Sequence, residues 1–132
     1  AAIKALRDGY DFVFIHIEAP DECGHDGDAE LKKASIEKID KFIVGPVCEA
    51  ASKLGEPFKI IVMPDHATPI EERTHTKEII PFILYDSREN LQDLPFRTNG
   101  AKGLSPYCER VAASSPVFIR DGFELMGLVI EK

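Results

Sequence analysis

Three of the four histidines in this 132-residue chain lie in two short stretches crowded with carboxylates. The first reads Glu18-Ala19-Pro20-Asp21-Glu22-Cys23-Gly24-His25-Asp26-Gly27-Asp28, and the second Pro64-Asp65-His66-Ala67-Thr68-Pro69-Ile70-Glu71-Glu72-Arg73-Thr74-His75-Thr76. Asp21 and His25 stand four apart, with Gly24 beside the histidine to let the backbone turn tightly. One carboxylate oxygen and one imidazole nitrogen are then able to face a common centre. Asp65 and His66 are adjacent, so in an extended segment their side chains point opposite ways, as befits ligands around a corner or between two ions. His75 lies nine residues beyond His66, where a folded-back loop returns it. Carboxylate with imidazole suits zinc or manganese, and the share of hard oxygen favours manganese or magnesium over what an all-cysteine site would take. The competing reading of such acidic loops is solvated surface.

The elements that must position these residues are legible from apolar patterning. Tyr10-Asp11-Phe12-Val13-Phe14-Ile15-His16-Ile17 is almost continuously apolar, the pattern of a strand buried on both faces of a parallel sheet. Glu18 to Gly27 reads as the loop leaving that strand, and Asp28 as the N-cap of a helix over about Ala29 to Leu54. Ile36, Ile39, Ile43, Val47, Ala50 and Leu54 give that helix a buried face, whereas Lys32, Lys33, Glu37, Lys38 and Lys41 read as solvated charges. Gly45-Pro46 predicts a kink or break, and Gly55 the stop.

Phe58 to Met63 is a second strand, followed by a polar loop from Asp65 to Lys77. Ile79 to Tyr85 is a third strand, with Pro81 marking an edge or a strand start. Asn99-Gly100 signals a turn, Tyr107 to Ala113 a short helical piece, and Gly122 to Glu131 a last helix capped by Asp121. Phe123, Leu125, Met126 and Val129 form the apolar side of that last helix. Strand, helix, strand, loop, strand, helix describes an α/β domain with a mainly parallel sheet flanked by helices. Ligand sites in such sheets lie beyond the carboxyl ends of the strands, where both histidine stretches fall.

Bulk properties narrow the function. Hydrophobic residues make up 44% and charged residues 30%, an ordinary soluble balance for one domain spanning 1–132. The formal charge is −7 with no basic cluster, which argues against nucleic acid as a partner. An anionic ligand needs metal ions, or basic residues from elsewhere, to offset that field. Apolar runs are too short to cross a membrane, and the start shows no signal peptide, so a cytoplasmic location is expected. Cys23, Cys48 and Cys108 form neither a disulfide framework nor a zinc pair, and Cys23 reads as a small packed residue. His16, within the first strand, reads as a packed or hydrogen-bonded residue at the site margin. Ala1 to Arg7 reads as the tail of a helix that begins earlier, so the chain is expected to be part of a longer polypeptide.

His16 to Asp28, Pro64-Asp65-His66-Ala67-Thr68-Pro69 and Thr74-His75-Thr76 closely resemble the cofactor-independent phosphoglycerate mutases of the archaeal type, within the alkaline phosphatase superfamily. Ile36 to Lys41 and Phe123 to Met126 also look like this family. The resemblance implies an incomplete alkaline phosphatase-like α/β domain, the C-terminal part of a two-metal phosphotransferase. Asp21, His25 and His75 would hold one divalent ion. Asp65 and His66 would hold the second, shared with an aspartate and a nucleophilic serine that precede this stretch in the family. That serine takes the phosphoryl group from 3-phosphoglycerate and returns it to the 2-position, so no catalytic nucleophile is expected in this chain. Ser35, Ser52, Ser87, Ser105, Ser114 and Ser115 all follow the first metal motif, in the wrong order for that role. Manganese is the leading candidate, with zinc and magnesium as alternatives. Two other readings remain: another metal-dependent phosphatase or phosphomutase of the superfamily, and a metal-binding domain without catalysis.

Overall fold

The computed structural model describes residues 1–89 and 107–130. These group into two compact units, one of Ala1–Glu56 with His66–Glu78, the other of Pro57–Asp65 with Ile79–Lys132. The expected turn at Asn99-Gly100 lies outside the described residues.

The first unit is helical. Helix α1 covers Ala2–Arg7, α2 Ala19–Asp26, α3 Ala29–Ile39 and α4 Gly45–Ser52. Helix α2 replaces the expected loop. Its sequence carries the end signals of a short helix: Pro20 in the first turn, where its missing N–H costs nothing, and Gly27 in the left-handed conformation past the C-terminus. Asp21 and Glu22 in the first turn also suit the helix dipole. Read singly, Pro and Gly looked like loop punctuation; read by position, they bracket two turns of helix.

Asp28 caps α3 as expected, its Oδ1 accepting the Leu31 N–H at 2.8 Å. The long helix then passes through a π-turn at Asp40–Val44 before continuing as α4. Pro46 supplies the reason. It has no N–H to give the Phe42 carbonyl, and the Gly45 N–H reaches back to the Asp40 carbonyl instead. The inserted residue rotates the helix, so the buried point of α4 is Ala51 rather than Ala50. Helix α3 packs on α2, and α1 on α4.

Tyr10 to Ile17 is not a strand: it makes no ladder with any described residue. Phe14 is 76% exposed and Phe12 50%. A segment apolar on both faces needs neighbours on both sides before strand geometry is worth its entropy cost, and the described residues give it none.

The second unit holds the only sheet among the described residues, β1 at Lys59–Val62 paired antiparallel with β2 at Ile83–Asp86. The mainly parallel sheet expected from the sequence is therefore not what these residues form. Consecutive strands joined without a crossover helix pair antiparallel, and Lys59 faces Asp86 while Val62 faces Ile83. Strand β2 starts two residues beyond Pro81, whose ring excludes a ladder donor. Beyond the strands, Phe58 and Ser87 exchange bonds: the Phe58 N–H donates to the Ser87 Oγ, and the Ser87 N–H to the Phe58 carbonyl. The Phe58 and Tyr85 rings lie 5.7 Å apart. Lys59 Nζ donates to the Leu128 carbonyl, holding β1 to helix α6 (Leu125–Ile130), which follows a 3-10 turn at Gly122–Glu124. Leu125 and Val129 are half-buried, but Phe123 and Met126 of the expected apolar side are exposed. A short helix α5, Glu109–Ala112, matches the expected helical piece.

Asp86 closes β2 with a forked ion pair to Arg88, Oδ1 to Nε at 2.9 Å and Oδ2 to Nη2 at 2.5 Å. Hydrogen bonds from the Arg88 side chain and backbone hold its carboxyl down to about 2, against an ordinary value of 3.8. A carboxyl depressed on folding stabilises fully above its unfolded pKa and loses that contribution as pH falls through the folded one. Asp86→Asn is therefore expected to flatten the loss of urea stability between about pH 4 and pH 2. An acid limb as steep as in the parent would contradict the pairing.

In the first unit Gly24 is packed directly against the backbone of Thr68. A Cβ there would stand 2.7 Å from the Thr68 carbonyl oxygen and 2.9 Å from its methyl. Gly24→Ala gains at most about 1 kcal/mol of helix propensity, against roughly 1–3 kcal/mol for overpacking onto a fixed backbone. Net destabilisation is expected, seen as a lower urea midpoint, and a midpoint at or above the parent's would refute the close approach.

Candidate metal centre

The cluster rises from two pieces of chain in the first unit. Helix α2 places Asp21 and His25 one turn apart on a single face, with His25 Nε2 3.3 Å from Asp21 Oδ2. The second piece is the loop from His66 to Thr76, closed by an antiparallel bridge between Ala67 and Thr76. The Thr76 N–H donates to the Ala67 carbonyl at 3.0 Å, and the Arg73 N–H to the Pro69 carbonyl. This closure brings together two residues nine apart in sequence: the His66 and His75 rings lie 3.7 Å centroid to centroid.

Around Asp21 the ring nitrogens crowd together. His75 Nε2 is 3.5 Å and His66 Nδ1 3.9 Å from Asp21 Oδ1. His25 Nε2 is 3.2 Å from His75 Nε2. One ligand atom from each of Asp21, His66 and His75 lies within 4.8 Å of the others. Donors bound at 2.0–2.2 Å around a tetrahedral ion stand about 3.4 Å apart. The spacings among Asp21, His25 and His75 match that value, so the donor set fits a divalent cation. Asp65, the fifth expected ligand, precedes His66 but belongs to the second unit; the cluster described here comprises the other four.

The backbone fixes the chemistry of His25. Arg73 sits at φ 55°, the left-handed region, and its carbonyl oxygen lies 2.9 Å from His25 Nδ1. A carbonyl only accepts, so Nδ1 donates to it, which leaves Nε2 as the ring nitrogen turned toward Asp21 and His75. Two imidazole nitrogens and a carboxylate stand together here, a donor set that could hold a cation. Asp21 is matched to this role, its carboxyl lying below the ordinary carboxylate value. The chief cause is a hydrogen bond from Thr68, opposed by desolvation and reinforced by His25, His75 and His66.

Two contributors were not foreseen from sequence. Thr68, 5% exposed, donates its hydroxyl to Asp21 Oδ1 at 2.5 Å. Its position two residues after His66 was the available signal, since i and i+2 share a face in extended chain. Lys32, read as a solvated charge, donates Nζ to the Thr68 carbonyl at 2.6 Å; nothing in its spacing marks it. Cys23 is buried beside Gly24, a packed residue as expected. His16 is exposed and stacks on Phe14, away from the role of a ligand, with Nε2 3.9 Å from a Glu18 oxygen. Arg73 contributes its carbonyl, while its guanidinium lies where a Cβ at Gly27 would be.

Comparison with known proteins agrees with this chemistry. The chain is 36% identical over all its 132 residues to a probable 2,3-bisphosphoglycerate-independent phosphoglycerate mutase of Geobacter sulfurreducens, covering 30% of that protein. Over 85 residues, 64% of the chain, it is 52% identical to the 2,3-bisphosphoglycerate-independent phosphoglycerate mutase of Methanosarcina mazei, covering 21% of it. A Methanothermobacter thermautotrophicus protein named 2,3-bisphosphoglycerate-independent phosphoglycerate mutase 2 is 52% identical over 83 residues, 63% of the chain and 20% of that protein. The chain thus spans less than a third of the length of these relatives. No solved structure gives a significant match. The sequence pattern of the metalloenzyme superfamily matches residues 1–104, most of the chain, and with the carboxylate and histidine cluster inside that span the chain belongs to the metalloenzyme superfamily.

Proposed function

We propose that this chain supplies metal-binding residues of a 2,3-bisphosphoglycerate-independent phosphoglycerate mutase, which interconverts 3-phosphoglycerate and 2-phosphoglycerate in glycolysis and gluconeogenesis. The observation that carries the reading is the convergence of Asp21, His25, His66 and His75 in a chain whose relatives bear that enzyme's name. In this reading Asp21, His25 and His75 hold one divalent ion, and Asp65 with His66 contributes to a second. Manganese is the first candidate, since one carboxylate against two imidazoles leaves room for further oxygen ligands. When bound, such ions lower the pKa of a hydroxyl nucleophile and offset charge on phosphoryl oxygens.

The chain's own residues do the positioning. Helix α2 fixes the Asp21–His25 pair, the Ala67–Thr76 bridge sets His66 against His75, and the Arg73 carbonyl selects the ring nitrogen that His25 presents. The nucleophilic serine and the basic residues that hold the substrate lie elsewhere in the polypeptide. A net charge of −7 is consistent with that division, because an acidic segment attracts cations and repels a phosphorylated acid. The mainly parallel sheet belongs to the same proposal, with Tyr10 to Ile17 entering it beside strands contributed from elsewhere. A cytoplasmic location goes with a reaction of central metabolism. Among the described residues, no helix is long and apolar enough to cross a membrane.

The protein at its natural length is expected to convert 3-phosphoglycerate to 2-phosphoglycerate with Mn²⁺ and without added 2,3-bisphosphoglycerate, and to lose activity on chelation. Release of inorganic phosphate without 2-phosphoglycerate would assign a phosphatase of the superfamily instead. The His25→Ala, His75→Ala double variant is expected to lose Mn²⁺ affinity by at least about 100-fold, since two ligands are removed where even a supporting partner is worth 10–100-fold. Isothermal titration measures this, and parent-like affinity in the double variant would remove the proposed first site.

A further inference from the structure

We infer that Thr68 is a positioning residue whose single hydroxyl sets both the orientation of Asp21 and the tautomer of His66. The inference deepens the metal-centre reading above and rests on it. Thr68 Oγ1 lies 2.5 Å from Asp21 Oδ1 and 3.3 Å from His66 Nδ1. A hydroxyl has one proton to donate and lone pairs to accept with. An ionised carboxylate only accepts, so the Thr68 proton goes to Asp21. The His66 contact then has one satisfactory form, in which the Nδ1–H donates to the Thr68 oxygen. Nε2 is then the His66 nitrogen left to face a ligand, as it is in His25 through the Arg73 carbonyl. Two histidines from different segments thus each have Nδ1–H tied to a protein oxygen. Such outer partners fix ring orientation and raise ligand basicity.

The position of Thr68 is itself secured from two sides. Lys32 Nζ holds its carbonyl at 2.6 Å, and the absent side chain at Gly24 lets that carbonyl approach α2. Thr68 is one of the few buried residues described, at 5% exposure, so water does not compete freely for its hydroxyl. A chain of three hydrogen-bonding groups therefore runs from His66 through Thr68 to Asp21, linking the ligand that leads the loop to the ligand on the helix. Valine in place of threonine keeps the shape and deletes both bonds. Serine keeps both.

The test uses the protein at its natural length, with Mn²⁺ as the probe. Thr68→Val is expected to weaken Mn²⁺ binding by about 10–100-fold, with Thr68→Ser within about threefold of the parent. In the metal-free protein, long-range ¹H–¹⁵N correlation is expected to show His66 as the Nδ1–H tautomer, and Thr68→Val to abolish that preference. Parent-like Mn²⁺ affinity in a folded Thr68→Val protein overturns the proposal, as does an Nε2–H tautomer for His66 in the parent. If the valine variant does not fold, the tautomer in the parent and in Thr68→Ser decides the matter. A parent that binds no Mn²⁺, or an Asp21→Asn variant that binds it undiminished, sinks the metal reading itself, and the tautomer still decides the hydrogen-bond chain.

Discussion

The close approach of the Thr68 backbone to helix α2 at Gly24 is the constraint on which the first unit depends. No large side chain is fully buried among the described residues. The buried positions are Cys23, Gly24, Ala51 and Thr68, and three of these four sit where the loop meets the helix. Packing density is thus concentrated at the cluster rather than in a separate core. Any residue larger than glycine at 24 pushes the loop away, and with it the hydroxyl on Asp21 and the two rings that bracket the loop. Structure and site are stabilised here by the same contacts.

Asp21 shows how that arrangement governs electrostatics. Three imidazoles surround it, and a hydroxyl donor outweighs the desolvation that would otherwise raise its pKa. The donor favours the ionised carboxylate, so the oxygen ligand on helix α2 stays available to a cation.

How much of this was legible in the sequence depended on how local the cause was. The Asp28 cap, the helix following it and strand β1 were readable because neighbouring residues dictate them. Tyr10 to Ile17 pairs with no described residue because strand formation is a property of partners, and apolar character only states that partners are wanted. Helix α2 is harder to read, because Pro20 and Gly27 break a helix in its middle but favour its start and its end. The π-turn was foreseen as a break at Gly45-Pro46, and the structure solves the missing donor by lengthening one turn. Asp21, His25, His66 and His75 stand out in the sequence by type and spacing, and the fold brings these four together. Thr68 and Lys32 act through single contacts to residues 47 and 36 positions away, which no spacing rule reveals.

The bridge between α2 and the His66–His75 loop joins residues 50 positions apart, as in the His25–His75 contact. A cation held by both segments would be a cross-link as well as a cofactor. Closing a loop of ~50 residues with a permanent link removes about 4 kcal/mol of unfolded-chain entropy on the simplest polymer estimate. That is a large part of the net stability of an ordinary domain, about 5–15 kcal/mol. In a unit with so little buried apolar surface, the metal supply of the cell would then set how long the chain survives proteolysis, quite apart from whether it turns over substrate.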